Sequence, residues 1–505
     1  MKSDKKNILF IAPFVIVKEF HYPLVALAKT LHKQGYKITM VHCRQAMKTD
    51  CTAMLAKGVG KDGNSESKDD FCGECHRLAS LASMLYPWKT RWIVPRNPLV
   101  REKGPLRGND LWRMAGYEVV LSQKKSDRTS RHEIPETWNS RYKYLCEIMP
   151  QAWEILKQDK YYSIISYNSL YGIHRLFAQL GSRLSIPSLC LHQSFNMNED
   201  NEYMLFENDV TEFLEGLQKK VRERSFKVSR ASRKIIQNHT LGLFASKKPW
   251  AYSSPKKHLD EGKLLIRKRK KILVVLSSPD ELVGLKLLRL LPTSEGHPFS
   301  NQILWLKWIF SLARKYPEAE FHIRPHPRLY PNKREKTTAD FSLHLDRLKK
   351  TRSLPNVLWA PLKQQGSVWD HLENSDLVFN AWSTVGDIFA NRAIPVFTFF
   401  PLYANSGKQL GFTSRTPLAY EKEFRKILNG YFPLKTKEQA ERWLSAYLCT
   451  NTFSLAWKTP RWISFLRNFV RKKWRQRIDI PMFIFSSIIS DSRRVHNLIR
   501  RIFLR

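Results

Sequence analysis

Short apolar runs alternate with amphipathic stretches along most of the chain. Ile8–Ala12 reads as a buried strand. After a Pro-containing loop, Leu24, Leu27, Ala28 and Leu31 recur at helical spacing and predict a helix over Pro23–Lys33, which Gly35 stops. Lys37–His42 then reads as a second strand. The pattern fades over residues 48–140, which are rich in Lys, Arg, Trp and Pro. It returns with a strand at Ser163–Tyr167, a helix at Leu170–Leu180 and a strand at Pro187–His192. Residues 207–237 predict one or two charged helices, with Phe213, Leu217 and Val221 on one face. Pro249, Pro255 and the basic run Arg267–Lys271 mark residues 245–271 as a boundary.

Beyond that boundary the alternation restarts. Strands are predicted at Ile272–Leu276, Glu320–Arg324, Asn356–Ala360, Leu377–Asn380 and Pro395–Phe399. Helices are predicted at Gln302–Tyr316, Val368–Asn374 and Val385–Asn391. Strands that alternate with helices build parallel sheets. The expected fold is α/β, with two Rossmann-like domains facing a cleft and a basic C-terminal helical tail. The expected divisions are residues 1–265, 266–425 and 426–505.

Length supports two domains, because 505 residues exceed what one core usually organises. Charge adds a constraint: 85 Lys and Arg against 45 Asp and Glu leave a net +40, which points to an anionic partner. No RNP, KH, zinc-finger or helix-turn-helix pattern is visible, so a specific nucleic-acid partner is not expected, although charge alone keeps a nucleic-acid binder among the alternatives. Mean hydropathy is −0.42 and no apolar run reaches spanning length, against a polytopic membrane protein. Asn7–Val17 superficially resembles a signal peptide but lacks a small-residue cleavage site, and reads better as the first strand. Seven cysteines, an odd number, fit a reducing cytoplasm. No GxGxxG follows the first strand, so no dinucleotide cofactor is expected.

Two motifs fall at predicted strand ends, where ligands of doubly wound sheets bind. In Arg324-Pro-His-Pro-Arg328 the prolines hold His326 between two guanidinium groups, Arg324 and Arg328, a set suited to phosphate oxygens. The alternative is a rigid turn with solvated arginines. In Trp382-Ser-Thr-Val-Gly-Asp387, Ser383 and Thr384 stand where a strand turns into a helix, which suits an anion. The alternative there is a capping box formed by Thr384 and Asp387.

These residues carry a resemblance. Arg324-Pro-His-Pro after a strand, then Ser375-Asp-Leu-Val-Phe-Asn-Ala-Trp-Ser-Thr-Val-Gly-Asp-Ile-Phe-Ala390, Ile394-Pro-Val396 and Tyr403 are similar to the C-terminal half of bacterial capsule polysaccharide biosynthesis proteins. Those are GT-B-type glycosyltransferases. A similar His-Pro and Ser-Ser/Thr pair occurs in polysialyltransferases and Kdo transferases, and in CDP-glycerol glycerophosphotransferases. The resemblance spans residues 271–403. It implies a cytoplasmic enzyme, peripheral on the inner face of the cell membrane, that moves a sugar from a nucleotide-sugar donor to a capsular or lipopolysaccharide glycan, the acceptor being lipid-linked or anionic. It implies that His326, Ser383 and Thr384 contact the donor phosphates and that Asp387 orients the site. A CDP-polyol phosphotransferase and a non-catalytic assembly or export partner are the alternatives.

Three further features remain. Glu19-Phe-His21-Tyr-Pro23, expected in a loop before the first helix, offers Glu19 and His21 as a base for an acceptor hydroxyl, or is a surface loop that does no chemistry. Cys43, Cys51, Cys72 and Cys75 crowd into a short stretch and could hold a structural Zn²⁺, or are free thiols. No metal is expected in catalysis, since no DxD-like motif stands out. In the tail, Trp462, Phe465, Leu466, Phe469 and Val470 share a helical face among many Lys and Arg, which suits anionic lipid headgroups or a helix packed back on the domains.

Overall fold

The computed structural model describes residues 6–48, 51–59, 67–95, 105–125, 136–196, 201–244, 269–291, 298–331, 338–360, 368, 374–399, 416–430, 435–457 and 487–489. The strands are β1 (Asn7–Ile11), β2 (Lys37–Cys43), β3 (Lys89–Ile93), β4 (Tyr161–Tyr167), β5 (Ser188–Gln193), β6 (Glu202–Glu207), β7 (Lys270–Val275), β8 (Ala319–Arg324), β9 (Val357–Trp359), β10 (Leu377–Asn380), β11 (Val396–Thr398), β12 (Thr452–Trp457) and β13 (Ser487–Ile489). The helices are α1 (Lys18–Lys33), α2 (Thr52–Lys57), α3 (Lys68–Leu85), α4 (Gly108–Gln123), α5 (Glu136–Gln158), α6 (Gly172–Arg183), α7 (Val210–Arg222), α8 (Arg230–Phe244), α9 (Pro279–Leu287), α10 (Gln302–Lys315), α11 (Asp340–Thr351), α12 (Val385–Asn391), α13 (Pro417–Leu428) and α14 (Lys435–Cys449).

Two sheets result. The first runs β13-β12-β6-β5-β4-β1-β2-β3 and the second β11-β10-β7-β8-β9. Strands β1 to β5 pair in parallel, as do all strands of the second sheet. Both sheets place their first strand centrally and wind outward in both directions, which defines Rossmann-like domains. The central strands are apolar on both faces because helices cover both sides: Ile8–Ile11 and Ile272–Val274 are fully buried.

Helices α7 and α8 fall within the expected N-terminal division, yet they pack on the second sheet. Leu214, Leu217, Val221, Ile236 and Leu243 share one core with Val275, Val378, Ile388 and Trp443. Arg442 of α14 locks this layer by donating to the carbonyls of Val221 (2.7 Å) and Glu223 (2.8 Å), which satisfies the end of α7.

The C-terminal region is not wholly helical. After α14 the chain crosses back, and β12 pairs antiparallel with β6 while β13 pairs with β12. The apolar face around Trp462–Val470, Tyr403 and nearly all of the predicted helix Val368–Asn374 lie outside the described residues. Among the described residues no helix is long and apolar enough to cross a membrane.

The two domains meet along α4 and α9, and glycines permit the close approach. A Cβ on Gly116 would stand 2.1 Å from the Trp138 ring and 2.6 Å from Leu287, and one on Gly284 would stand 3.0 Å from Tyr117. Behind this contact lies a buried polar knot. Glu118 pairs with Arg141 and accepts from Thr52 Oγ1 (2.9 Å) and the Gly172 N–H (2.8 Å), which ties α4 to α5, α2 and α6.

Candidate active site

The second sheet presents three adjacent strand ends. β8 runs into Arg324-Pro-His-Pro-Arg328, β7 into Ser277-Ser-Pro-Asp280, and β10 into Ala381-Trp-Ser-Thr384. β7 lies between the other two. With neighbouring strands about 5 Å apart, His326 and Ser383 leave strands separated by roughly 10 Å.

His326 is half-buried and precedes a short 3₁₀ turn, Pro327–Leu329. Its Nδ1 accepts the backbone N–H of Arg328 at 3.2 Å. In the neutral ring this places the proton on Nε2 as a donor. Ser383 is fixed by a reciprocal pair of bonds: its N–H donates to Asn380 Oδ1 (3.2 Å), and Asn380 Nδ2 donates to its carbonyl (2.8 Å). Ser383 Oγ accepts weakly from the Val385 N–H at 3.4 Å. Thr384 precedes α12 with helical φ and ψ and makes no side-chain cap bond, so the alternative, a capping box with Asp387, is not formed. Ser383 and Thr384 are both half-exposed. Below them Ser277 is held on both sides by Gln302, at 3.0 and 3.1 Å, and Ser278 Oγ donates to Asp280.

Two expected phosphate ligands are engaged elsewhere. Arg328 pairs with the buried Asp280 and with Glu281, and donates to the Leu121 carbonyl at 2.9 Å. Lys124, at the end of α4, returns a bond from Nζ to the Arg328 carbonyl at 2.6 Å. Arg328 is thus an interdomain clamp, because its forked donors meet carboxylates and a carbonyl before any ligand arrives. Asp387 is 1% exposed and accepts from Trp443 Nε1 of α14 at 3.3 Å. Burial holds its carboxyl well above the usual carboxylate range, and the Trp443 hydrogen bond offsets this only in part. Arg324 closes β8 and is also buried, at 6% exposure.

At the equivalent ends of the first sheet the surroundings are aromatic. Phe20 stacks on Tyr167 at 5.0 Å, Phe14 meets His174 edge-on at 5.4 Å, and Tyr167 stacks on His192. The segment expected as a loop belongs to α1, which starts at Lys18 and carries Pro23 inside it. His21 is therefore buried, at 1% exposure, among His42, Tyr22 and Tyr86. Desolvation, then the neighbouring His42, pulls its pKa down to about 3. Glu19 projects to solvent, 69% exposed, with Lys57 at 4.0 Å. The structure does not bring His21 and Glu19 to a common point. It does bring Cys43, Cys51, Cys72 and Cys75 to the lining of one cavity.

Several site residues escaped sequence reasoning. Ser277, Ser278 and Asn380 were visible only as strand-end residues, and the switch-point rule would have found them. Lys124 carried no signal, since its role arises from contact between domains, and Glu281 carried none because its partners Arg328 and Trp382 lie 47 and 101 residues away.

No family model matches the sequence, and no curated protein matches it. Solved structures similar to this chain include Thermosulfurimonas dismutans KpsC, a beta Kdo 2,4 transferase, at 12% identity over 60% of this chain and 88% of that one, with a TM-score of 0.36. Acinetobacter baumannii MurG is similar at 11% identity over 88% and 94% of the two chains, with a TM-score of 0.27. Methanocaldococcus jannaschii UDP-GlcNAc 2-epimerase, solved with UDP-GlcNAc and UDP, is similar at 12% identity over 87% and 98%, with a TM-score of 0.30. Likeness at these TM-scores assigns no activity.

Proposed function

We propose that this chain is a glycosyltransferase that binds a nucleotide-sugar donor at the strand ends of β7, β8 and β10 and passes the sugar to a capsular or lipopolysaccharide glycan. The observation that carries this reading is that the partly exposed His326, Ser383 and Thr384 follow the ends of β8 and β10, on either side of β7, at one edge of the second sheet. His326 Nε2 and the two hydroxyls offer donors suited to the phosphate oxygens of a leaving nucleotide. In the reaction the acceptor oxygen bonds to the anomeric carbon, the bond from that carbon to the phosphate oxygen breaks, and the acceptor proton passes to a base. Of the two candidates, Glu19 is the one at the surface, and His21 would need α1 to open. The excess positive charge and the Trp462–Val470 segment fit an acceptor presented at an anionic membrane surface.

A thermal-shift panel with CMP, CDP, UDP, GDP and ADP tests the reading on wild type and His326→Ala. A ligand at about 100 times its Kd adds roughly 2.7 kcal/mol of stability. A shift with one nucleotide, lost in the variant, supports the donor site. CMP alone points to a Kdo- or sialic-acid-like sugar, and CDP turns the reading toward polyol-phosphate transfer. No shift with any nucleotide, with or without acceptor glycan, overturns it.

A further inference from the structure

The clustered thiols of Cys43, Cys51, Cys72 and Cys75 are not arranged to hold zinc: among the described residues no three His, Cys, Asp or Glu side chains are placed so that they could bind a metal ion. A different set of buried polar groups lies where the domains meet, beside the strand ends of β7 and β8. Helix α4 comes from the first half of the chain and serves both cores. Leu111, Met114 and Val120 pack in the first, while Tyr117 and Leu121 pack in the second.

The helix ends at Lys124, in the left-handed region at φ 53° and ψ 47°. Glycine is the usual residue there, because a Cβ is disfavoured at positive φ. This lysine is also buried, at 1% exposure. Burying an ammonium is costly unless hydrogen bonds receive it. Its Nζ donates to the Arg328 carbonyl at 2.6 Å, 204 residues away in the chain. A glycine would end α4 equally well but would take this donor from the carbonyl. What Lys124 holds therefore accounts for a side chain that the backbone alone disfavours.

Arg328 is engaged at every polar group. Its carbonyl accepts from Lys124, its guanidinium meets Asp280, Glu281 and the Leu121 carbonyl, and its N–H donates to His326 Nδ1 at 3.2 Å. Leu121 and Lys124 both lie at the end of α4. The bond that orients the imidazole thus starts from a residue anchored by the first domain. Glu281 also accepts from Trp382 Nε1 at 3.3 Å, so the same chain of bonds reaches the residue before Ser383.

We propose that Lys124 is a positioning residue for the donor site: the end of α4 sets the His326 imidazole through Arg328, so nucleotide binding in the second domain depends on the docked first domain. The inference rests on the donor reading of His326. Release of the Arg328 carbonyl loosens the short turn Pro327–Leu329, and the Arg328 N–H loses its aim at Nδ1. The proton is then no longer kept on Nε2, where a phosphate oxygen would accept it.

Two measurements separate positioning from mere support. The first needs no ligand. In the full chain labelled with ¹⁵N at histidine, the His326 ring signals are assigned by their absence in His326→Ala, and their shifts report which nitrogen carries the proton. Lys124→Met, which keeps the bulk but not the donor, should move them toward a mixture of tautomers. Lys125→Met should leave them in place. The second is a double-mutant cycle on affinity per folded molecule, measured by calorimetry with CMP, or with whichever of CDP, UDP, GDP and ADP stabilises wild type. Lys124→Met should weaken binding by about fivefold, one ordinary hydrogen bond, and should cost nothing further in His326→Ala. Unmoved ring signals overturn the proposal, as does an equal loss of affinity with and without His326. A lysine that only supports the fold would lower the urea midpoint and change neither readout. If wild type binds no nucleotide, the donor reading fails by itself, and the ring signals still decide whether Lys124 positions His326. Should Lys124→Met fail to fold, Arg328→Lys takes its place with the same expected outcomes, since it keeps the charge beside Asp280 but lacks the fork that reaches Leu121.

Discussion

The two sheets share one winding order but differ in what stands at their strand ends. The first ends among stacked rings, Phe14, Phe20, Tyr167 and His174, with histidines sealed beneath. The second ends in hydroxyls, an amide and a half-exposed imidazole, the amide and the imidazole each held by a local hydrogen bond. The same topology thus produces one apolar rim and one polar rim. Chemistry at a switch point is decided by the few residues after each strand, while the strands themselves only bring those residues together.

The comparison can be broken at several points. The largest effect is expected beneath the first sheet. Arg141→Ala leaves Glu118 buried and unpaired and should cost about 3–5 kcal/mol, read as a lower urea midpoint, while nucleotide binding per folded molecule persists. Next comes the polar rim. His326→Ala should weaken nucleotide binding by about 10–150-fold, the value of one hydrogen bond to a charged group, with stability nearly unchanged. Equal affinity in both proteins, measured by calorimetry, would remove His326 from the site.

The sealed histidines predict a pH dependence. Burial lowers His21 to about 3, and His42 and His174 to about 4, from 6.5. Below pH 6.5 the unfolded chain takes up protons that the folded chain refuses. Stability is therefore present above that pH and falls as the solution is acidified toward the folded values. His21→Leu should flatten the slope by up to about 1.4 kcal/mol per pH unit, measured from urea midpoints at pH 7 and pH 5. An unchanged slope would mean that His21 already takes up its proton in the folded protein.

Smaller effects sharpen the contrast. Ser383→Ala should weaken nucleotide binding by about fivefold, one ordinary hydrogen bond. Glu19→Gln should alter stability by less than about 0.5 kcal/mol, since its side chain is solvated. Any large loss of activity in that variant would then report chemistry rather than folding.

The fold was legible where a strand is buried on both faces and its helix has one apolar stripe, as in β1, α1, β7 and α10. It was illegible across residues 48–140. There α4 carries Gly116 at its middle and is apolar on several faces because it packs against both domains, and β3 (Lys-Thr-Arg-Trp-Ile) is an edge strand without alternation. At the site, the motifs fall at adjacent strand ends of the second sheet. They could not reveal that Arg328 and Asp387 are spent on Asp280, Leu121 and Trp443, because those partners lie 48, 207 and 56 residues away.

The return of β12 and β13 to the first sheet has a consequence for synthesis. A ribosome releases β6 long before β12, and the entire second sheet emerges in between. Until then β6 offers bare N–H and C=O groups along its outer edge, the kind of edge that recruits foreign strands. The first domain is thus completed last, by a segment that must first pass over its neighbour. Nascent chains stalled before residue 452 should bind chaperones through that edge, and full-length chains should let them go.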